Sequence, residues 1–461
     1  MFQKVLIATR GEIVLRIART CERMGIATVA IHSQPETGAA HVTTCDEAVC
    51  VGGPALRESY LNIAAIIAAA QQTGAQAIHP GCAALSQSAA FAKAVAEAGL
   101  TMIGSDAETL ARFSSTADSR ELARLAGVHA LSFTPLGASG VQGSVHELAR
   151  ELGYPLLVRA SADDSICERV DDDHELTQAI GLCRDRASAG CDDPRIHMEP
   201  CLDRPRLLAV QLVADARGDC MALGELERCP ERPLGSRILL DESPAPALVG
   251  LTHGGLKRQI VCDAACRVAK EGGLVGAGLA EFLLDADARL SFTRLRPGLP
   301  IEHGLAEMCA GLDMVEAQIR IAAGERLPPD VRRAQPSGNA IQARVSALGG
   351  RDESGAEHGE EIKVLRWPTL APGTLRVETD LTVGARAGTD HDPVVARVVA
   401  YGQTRHQAIL TLDRVLAEAT IEPLNTNIAL LRQVLGDESY RAGQYDAEFV
   451  ERLTSEVREN T

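Results

Sequence analysis

Residues 292–307, FTRLRPGLPIEHGLAE, contain a group of side chains that could carry out acid–base chemistry or bind an anion. Two prolines and a glycine surround four such side chains, namely Arg294, Arg296, Glu302 and His303. A site that binds metal ions and phosphates uses carboxylates to hold the metal. Arginines in those places favour an anion over a dication. The segment is therefore either a modified active site or the remains of one.

Regular elements on both sides must position these side chains. A strand is predicted at Leu290–Leu295, before the prolines, and a long helix is predicted after them, through Ala323. The apolar residues of that helix recur at helical spacing and should share one face: Leu305, Met308, Leu312 and Val315. The polar segment would then connect the end of a strand to the start of a helix.

The first part of the chain predicts a parallel sheet covered by helices, because short apolar strands alternate with amphipathic helices. The predicted strands are Val5–Ala8, Thr28–His32, Ala77–His79 and Thr101–Ile103. A small, turn-rich central region follows from about Leu131. A larger α/β body begins near Asp241, short strands dominate from residue 330 to about Ala400, and a last helical part begins at Arg405.

Composition excludes several classes of function. The chain has 461 residues and a formal net charge of −16, which argues against nucleic acid or an anionic membrane as the main partner. No apolar run reaches the roughly 18 residues of a membrane span. The chain enters a strand almost at once, so we expect no signal peptide and a cytoplasmic location. The thirteen cysteines form no CxxC pair, which predicts reduced thiols rather than disulfides or a zinc site.

An ordered set of motifs resembles biotin carboxylase, the ATP-grasp subunit of biotin-dependent carboxylases. These motifs are KVLIATRGEIVLRIARTCERMGI, SYLNIAAIIAAAQQTGAQAIHPG, EFLLDADARL, IEHGLAEM, AIQARV and TNIALL. The resemblance implies an α/β (α+β) fold with three domains. They are a Rossmann-like pre-ATP-grasp domain at 1–115, an ATP-grasp domain at 116–330 with a lid at about 131–205, and a β-rich domain at 331–461.

The resemblance also implies roles for six retained residues. Glu302 matches the general base, and Arg344 matches the arginine that steadies the biotin enolate. Four residues match nucleotide-binding positions: Arg159, Glu199, Leu202 and Glu281. Glu281 also matches one of the two carboxylates that bind magnesium in the family.

Five positions depart from the family's pattern. Thr116 replaces a lid lysine, and Arg294 and Arg296 replace a magnesium carboxylate and an asparagine ligand. Gly298 and Pro300 replace the bicarbonate arginine and a glutamine. A unit charge at about 4 Å is worth roughly 4 kcal/mol at an effective dielectric near 20. The two arginines therefore disfavour magnesium binding in the family manner.

The lid departs from the family as well. Residues 163–175 contain no glycine and carry seven acids against Arg169 alone, where the family has a glycine-rich loop over the triphosphate. This pattern predicts a solvated loop that no longer closes on a nucleotide. Pro200 lacks the backbone N–H expected near the adenine.

These departures lead to three hypotheses for function. The first is a structural or regulatory pseudoenzyme subunit of a biotin-dependent acyl-CoA carboxylase. The second is an active ATP-dependent biotin carboxylase that forms carboxybiotin on a separate carrier. The third is an anion or nucleotide sensor that uses Arg294 and Arg296 in the old cleft.

Cofactors and partners follow from the same resemblance. No cofactor is firmly expected, and ATP with Mg²⁺ is expected only if residual family function remains. No Met-Lys-Met motif is present, so covalent biotin is not expected on this chain. The expected partners are catalytic carboxylase subunits or a biotin carboxyl carrier protein, in a homo- or hetero-oligomer.

Three residues are predicted to lie at the family's dimer interface: Arg19, Arg23 and Trp367. Arg23 replaces an acid of the family, and two arginines four residues apart on a helix repel each other modestly. We therefore expect self-association weaker than in active relatives.

Overall fold

A parallel sheet forms the first part of the chain. The structure is a computed structural model that describes all residues except 83, 137–144, 162–165, 191–194, 233–236, 349–359, 388–392 and 460–461. The strands of this sheet are β1 (Lys4–Ile7), β2 (Ala27–Ser33), β3 (Glu47–Gly52), β4 (Ala77–His79) and β5 (Thr101–Met102). They pair in the order β3-β2-β1-β4-β5. The helices of this part are α1 (Glu12–Met24), α2 (Ala40–Thr44), α3 (Ile63–Thr73), α4 (Ala89–Glu97), α5 (Ala107–Arg112) and α6 (Thr116–Leu125).

The predicted parallel sheet is confirmed, with one strand that the sequence pattern did not predict. Strand β3 lies at the edge of the sheet, and only Val51 among its residues is buried. An edge strand that is mostly solvent-exposed lacks the apolar run or clean alternation by which strands are found in sequences. The predicted strands include the three inner ones, β1, β2 and β4, whose residues are nearly all buried and therefore mostly apolar.

A four-stranded antiparallel sheet forms the central region. Its strands are β6 (Thr134–Leu136), β7 (Leu156–Ala160), β8 (Cys167–Val170) and β9 (Ile196–Pro200), in the order β6-β9-β7-β8. Two helices accompany it, α7 (Val145–Leu152) and α8 (Leu176–Gly190). We call this sheet and its helices the lid.

An eight-stranded antiparallel sheet forms the largest layer. Its strands are β10 (Arg206–Ala214), β11 (Cys220–Pro230), β12 (Ile238–Ser243), β13 (Gly276–Leu284), β14 (Leu290–Pro297), β15 (Asn339–Ser346), β18 (Leu375–Glu378) and β20 (Val394–Gly402). They pair in the order β14-β13-β10-β11-β12-β15-β20-β18. Its helices are α9 (Pro246–Val249), α10 (Gly254–Gly272), α11 (His303–Ala310), α12 (Met314–Ala322) and α13 (Pro329–Arg332).

The large sheet crosses the domain boundary predicted at residues 330 and 331. Strand β12 pairs with β15 in the register Leu240 to Ala343, so hydrogen bonds join the two sides directly. The remaining elements all come from the chain after β15. They are β16 (Glu360–Glu361), β17 (Val364–Arg366), β19 (Arg386–Ala387), β21 (Thr420–Glu422), α14 (Arg405–Glu418), α15 (Ile428–Gly436), α16 (Glu438–Arg441) and α17 (Phe449–Glu459).

The prediction of one long helix through Ala323 is wrong, because two helices occupy that stretch. Helix α11 ends at Gly311, whose φ of 67° suits glycine and whose N–H donates to the carbonyl of Glu307. Helix α12 begins after Asp313, whose carboxylate accepts the N–H of Glu316 at 2.9 Å. Leu312 therefore lies between the helices and not on a shared apolar face.

A buried histidine at the end of β4 should make stability depend on pH. Nδ1 of His79 accepts the N–H of Gly81 at 3.0 Å, which requires an unprotonated Nδ1. Burial lowers the pKa of His79 from 6.5 to about 3. His79 therefore binds a proton more tightly in the unfolded chain than in the folded one. This contribution to stability is complete above pH 6.5 and is lost as the pH falls towards 3.

We predict that the free energy of unfolding falls by roughly 2–3 kcal/mol between pH 7 and pH 4.5 through His79 alone. Urea unfolding at both values should show this fall, and His79→Asn, which keeps an acceptor but cannot titrate, should show a smaller one. Equal pH dependence in the variant and the parent would contradict the assignment.

Candidate functional site

Glu281 holds two guanidinium groups in the place predicted for magnesium. It lies on β13 and is 9% exposed. Its Oε1 lies 2.7 Å from Nη1 of Arg228 on β11 and 3.1 Å from Nε of Arg296 on β14. Arg294 is the residue directly opposite Glu281 in the β13–β14 pairing. The carboxylate is therefore neutralised by side chains of the same sheet.

Glu302 and Arg344, which the resemblance singled out separately, form an ion pair. Nη2 of Arg344 lies 2.7 Å from Oε1 of Glu302, and Nη2 of Arg228 lies at the same distance from that oxygen. Arg344 also binds both carboxylate oxygens of Asp241, at 2.9 and 3.0 Å. Arg228, Arg344, Glu281, Glu302 and Asp241 thus form one connected group, which we call the arginine network.

The arginine network makes Glu302 a weak base. Burial raises the pKa of Glu302, but Arg228 and Arg344 outweigh burial and lower that pKa to about 2. A general base works best when its pKa lies near the operating pH. Burial and the negative charge of Glu302 both raise the pKa of Asp241, and Arg344 opposes this rise. The network is therefore suited to holding charge in place rather than to moving a proton.

Glu199, at the end of β9, is a second buried carboxylate bound by arginines. Nη2 of Arg120 on α6 lies 2.5 Å from its Oε2, and Nε of Arg159 on β7 lies 3.1 Å from its Oε1. Burial raises the pKa of Glu199, yet Arg159 and Arg120 together hold it well below its ordinary value. The predicted nucleotide-binding pair Arg159 and Glu199 is therefore brought together, as an ion pair.

Position 116 contributes no cation to the cleft. Thr116 begins α6, it is buried, and its N–H donates to the carbonyl of Ser161 at 3.0 Å. Its hydroxyl has no hydrogen-bond partner among the described residues. Arg120 lies one helical turn later on the same helix.

Gly298 and Pro300 have structural roles after β14. Gly298 has a φ of 110°, and a Cβ added there would lie 2.6 Å from Oγ of Ser86. A larger side chain at position 298 is therefore excluded unless the loop shifts. The carbonyl of Pro300 accepts the N–H of His303 at 3.0 Å and lies 2.9 Å from Nδ1 of the same residue. His303 is fully buried, with Nε2 3.4 Å from Glu378, so it does not belong to the rim predicted for it.

Two adjoining cavities lie between the lid and the large sheet. The smaller, the cationic compartment, has a volume of about 190 Å³. Its charged lining residues are Arg120, Arg159, Arg228, Arg232, Arg294, Arg296, Glu199 and Glu281. The larger, the apolar compartment, has a volume of about 520 Å³. Five leucines line it, namely Leu131, Leu157, Leu202, Leu207 and Leu283, and charged residues border it as well, namely Arg159, Arg169, Arg232, Glu199, Glu448 and Glu451.

The segment at the end of β9 borders the apolar compartment. Leu202 lines this compartment, which is consistent with its predicted place beside a nucleotide base. Pro200 has no N–H, and the N–H of Cys201 donates to the carbonyl of Pro155 at 3.1 Å. Neither residue offers a backbone donor to a ligand.

The acidic lid segment differs from the predicted solvated loop in part only. Residues 167–170 form β8, whereas residues 171–175 form a mostly exposed turn, and acids of both parts bind basic groups on the lid helices. Arg186 on α8 lies 2.6 Å from Glu168, and Arg150 on α7 lies 2.8 Å from Asp173. The count of seven acids against one arginine missed these partners because they are distant in sequence. Asp163 and Asp164 lie outside the described residues.

The predicted interface residues are found on two surfaces. Arg19 and Arg23 are exposed on α1, and Arg23 forms an ion pair with Asp313 of the same chain. That acid offsets the repulsion expected between the two arginines. Trp367 is half-buried and packs against the hydrophobic core of the C-terminal part.

Sequence reasoning missed Arg228, Arg120 and Arg232, which line the cationic compartment. Arg120 lies on the buried stripe of α6 formed by residues 116, 119, 120 and 123. Arginine on a buried helical stripe is a signal of a paired internal charge, because arginine is seldom buried without a partner. Arg228 lies within the long strand β11 in the sequence GELERCP, where acidic neighbours leave no apolar pattern to mark it.

Magnesium does not fit these residues. In the described ranges, no group of three His, Cys, Asp or Glu side chains converges as a metal site. The only retained family carboxylate, Glu281, is bound by Arg228 and Arg296. The twelve described cysteines are free thiols. In the same part of the chain, none of the helices has the length and apolar character needed to cross a bilayer.

Comparisons with known proteins cover almost the whole chain. Residues 1–110 match the family "Biotin carboxylase, N-terminal domain", and residues 342–452 match "Biotin carboxylase C-terminal domain". Residues 121–329 match "Carbamoyl-phosphate synthase L chain, ATP binding domain". Biotin carboxylase 1 of Bacillus subtilis is 33% identical over 98% of this chain and 98% of the relative. The mitochondrial propionyl-CoA carboxylase alpha chain of Sus scrofa is 32% identical over 97% of this chain and 60% of the relative.

Solved structures of biotin carboxylases have closely similar folds. The biotin carboxylase domain of 2-oxoglutarate carboxylase from Hydrogenobacter thermophilus, in complex with MgADP, ADP and bicarbonate, has a TM-score of 0.89 and 30% identity. The comparison covers 98% of both chains. A biotin carboxylase from Campylobacter jejuni, in complex with a β-γ-ATP ligand, has the same TM-score with 27% identity, over 98% of this chain and 99% of that one.

We predict that Arg228→Met lowers the free energy of unfolding by about 1–3 kcal/mol, because Glu281 and Glu302 lose their shared cation while Arg296 and Arg344 still bind them. Arg289→Met is the control: Arg289 is exposed, and its ion pair with Asp287 lies at the surface. Urea unfolding should show a loss of less than about 1 kcal/mol for the control. Equal losses in the two variants would contradict a structural role for the network.

Proposed function

Because the chain belongs to the biotin carboxylase family, we propose that it is a biotin carboxylase-like subunit of a biotin-dependent acyl-CoA carboxylase that has lost catalysis and acts as a structural or regulatory pseudoenzyme. The observation that carries this proposal is the binding of Glu281 to Arg228 and Arg296 where a magnesium ion would be needed. Phosphoryl transfer relies on metal ions that neutralise the developing charge. Guanidinium groups can bind phosphate, but they do not hold a metal.

A second argument concerns bicarbonate and the base. Glu302 is the proposed counterpart of the general base, yet two arginines bind its Oε1 and lower its pKa to about 2. The proposed bicarbonate arginine is replaced by Gly298, whose surroundings exclude a long side chain. Catalysis needs these groups as one positioned set. Loss of the metal, the base and the bicarbonate contact together supports an inactive subunit.

The retained scaffold supports a role as a subunit. Buried apolar side chains of the large sheet form extended core clusters: Leu208 belongs to one, and Leu226, Leu279 and Val399 belong to another. The three family matches also support the proposed division into domains at 1–115, 116–330 and 331–461. A chain that keeps its fold but lacks the catalytic charged groups can still bind partners through its surface. The proposed partners are a catalytic carboxylase subunit or a biotin carboxyl carrier protein, in the cytoplasm.

We predict no bicarbonate-stimulated ATP hydrolysis and no carboxylation of free biotin by the purified chain. Biotin carboxylase 1 of Bacillus subtilis, assayed in parallel, supplies the positive control. Steady turnover that Glu302→Gln abolishes would establish the active enzyme instead.

Restoring the two metal positions should not restore catalysis. In Arg294→Glu with Arg296→Asn we expect at most a gain of Mg²⁺ binding, measured by calorimetry, because positions 116 and 298 still lack their cations. Adding Gly298→Arg should destabilise the chain, because its Cβ would meet Ser86. Carboxylation by the double variant would show that these two arginines alone had silenced the site.

We predict that the isolated chain is mainly monomeric at micromolar concentration and forms a complex with a catalytic carboxylase subunit or its carrier protein. The reason is that Arg23 replaces an acid and is bound by Asp313 of its own chain, and a symmetric interface loses each such contact twice. Sedimentation velocity measures self-association with the chain alone and complex formation with the mixtures. A tight homodimer that binds none of the carboxylase subunits would contradict the proposed role.

A further inference from the structure

The lid is joined to the rest of the chain by two crossings. The chain enters the lid at residues 126–133 and leaves it at residues 201–205, which we call the return linker. The entry crossing is fixed by the large sheet, because the N–H of Leu131 donates to the carbonyl of Phe292 on β14 at 3.0 Å. The return linker leads from the end of β9 to the start of β10. The contacts that hold this linker therefore limit how freely the lid can move.

A segment near the end of the chain holds the return linker. Nη2 of Arg204 lies 2.8 Å from Oδ2 of Asp446. The carbonyl of Pro205 accepts the N–H of Ala447 at 2.9 Å. An ion pair and a backbone hydrogen bond thus connect neighbouring residues of the linker to neighbouring residues of this segment. We call residues 443–447 the C-terminal clamp.

The C-terminal clamp is itself fixed to the large sheet. Nη2 of Arg206, the first residue of β10, donates to the carbonyl of Gly443 at 2.8 Å. The hydroxyl of Tyr445 donates to Oε1 of Glu242 on β12 at 2.6 Å. The buried ring of Tyr445 stacks on that of Tyr440, with centroids 5.1 Å apart. The clamp therefore holds the return linker against the large sheet rather than moving with the lid.

The backbone of the return linker is held in a conformation that a free linker would seldom adopt. Arg204 has a φ of 44°, in the left-handed region that side chains other than glycine disfavour. Such residues persist where the surrounding contacts fix them, and they are frequent in segments that switch. Asp446 is buried and also binds Arg452 at 2.9 Å, so the carboxylate that holds Arg204 is positioned independently of the linker.

The lid docks on α6, which packs against the large sheet. The N–H of Thr116 donates to the carbonyl of Ser161 in the lid at 3.0 Å, and Arg120 forms an ion pair with Glu199 on β9. Nε of Arg120 also donates to the carbonyl of Thr293 on β14, which ties α6 to the sheet. A lid that moves away from α6 must break these contacts. The amide of Thr116 therefore reports whether the lid is docked.

We propose that the C-terminal clamp restrains the lid, so that the lid leaves α6 only when the contacts of Arg204 and Pro205 with the clamp open. With the return linker released, the lid is tied to the sheet by its entry crossing alone and gains freedom to swing. The inference goes beyond the proposed function and holds for an active or an inactive chain. It makes the position of the lid depend on residues at the far end of the sequence.

The test is hydrogen–deuterium exchange of the full chain, read at three amides by mass spectrometry with fragmentation of the peptides. The amide of Ala447 reports the clamp, and that of Thr116 reports lid docking. The amide of Ala8, which donates to the carbonyl of His79 in the first sheet at 2.8 Å, reports general loosening. An amide exchanges faster when the local opening that exposes it becomes more frequent.

Arg204→Gln should raise the exchange rates of Ala447 and Thr116 at least fivefold and change that of Ala8 less than twofold. The side chain of Arg204 is 57% exposed, and Asp446 keeps Arg452 as a partner, so this variant retains its fold. The loss of the ion pair acts on the linker and not on the core.

A second variant and a matched control complete the test. Asp446→Asn removes the negative charge from the other side of the contact and should accelerate the same two amides at least fivefold. Arg432→Gln is the control, because it removes an ion pair with Asp413 elsewhere in the C-terminal part. It should change all three exchange rates less than twofold.

Each of the other results would overturn the inference. Faster exchange at Ala447 with no change at Thr116 would show that the clamp holds the end of the chain but not the lid. Unchanged rates at both amides would show that the contact restrains neither. Equal acceleration at Ala8 would show a general loss of stability instead of a freed lid. Bicarbonate-stimulated ATP hydrolysis would overturn the proposed function and leave this inference standing.

Discussion

The guanidinium of Arg228 lies between two buried carboxylates, 2.7 Å from Glu281 and 2.7 Å from Glu302, and the geometry of the cleft depends on this contact. Buried carboxylates are costly unless a cation is close and hydrogen-bonded. One planar guanidinium has enough donors to serve both. Because Arg228, Glu281 and Arg296 lie on strands of one sheet, the backbone hydrogen bonds of that sheet fix the charges relative to one another.

The contact between Arg228 and Glu281 is also the reason why magnesium does not fit this site. In the relatives solved with MgADP or an ATP analogue, a fold of closely similar shape accompanies those ligands. Here a fold of that shape holds Glu281 between Arg228 and Arg296. Apolar packing stabilises such a fold, whereas the charged side chains that line a cleft decide what it can hold.

Much of the fold follows from local patterns, while much of the site does not. The parallel strands and the strand Arg206–Ala214 are marked by runs of buried apolar residues, which period and composition reveal. The break at Gly311 was missed because the apolar spacing continues through it, and only the left-handed glycine and the Asp313 cap mark the boundary. The resemblance singled out Glu302 and Arg344, and their contact at 2.7 Å became visible only in the structure. The roles of Arg120 and Arg228 depend on pairing between residues far apart in the chain, which no local pattern records.

The large sheet has a consequence for how this chain can be divided. Strands β12 and β15 are hydrogen-bonded neighbours, although the boundary between two predicted domains lies between them in sequence. A chain ended near residue 330 would expose the backbone donors and acceptors of β12 as a bare edge, and such edges pair with other chains and aggregate. The C-terminal third is thus part of the unit that folds. Gene fusion or rearrangement in this lineage can add segments at the ends of the chain far more readily than it can separate these two halves.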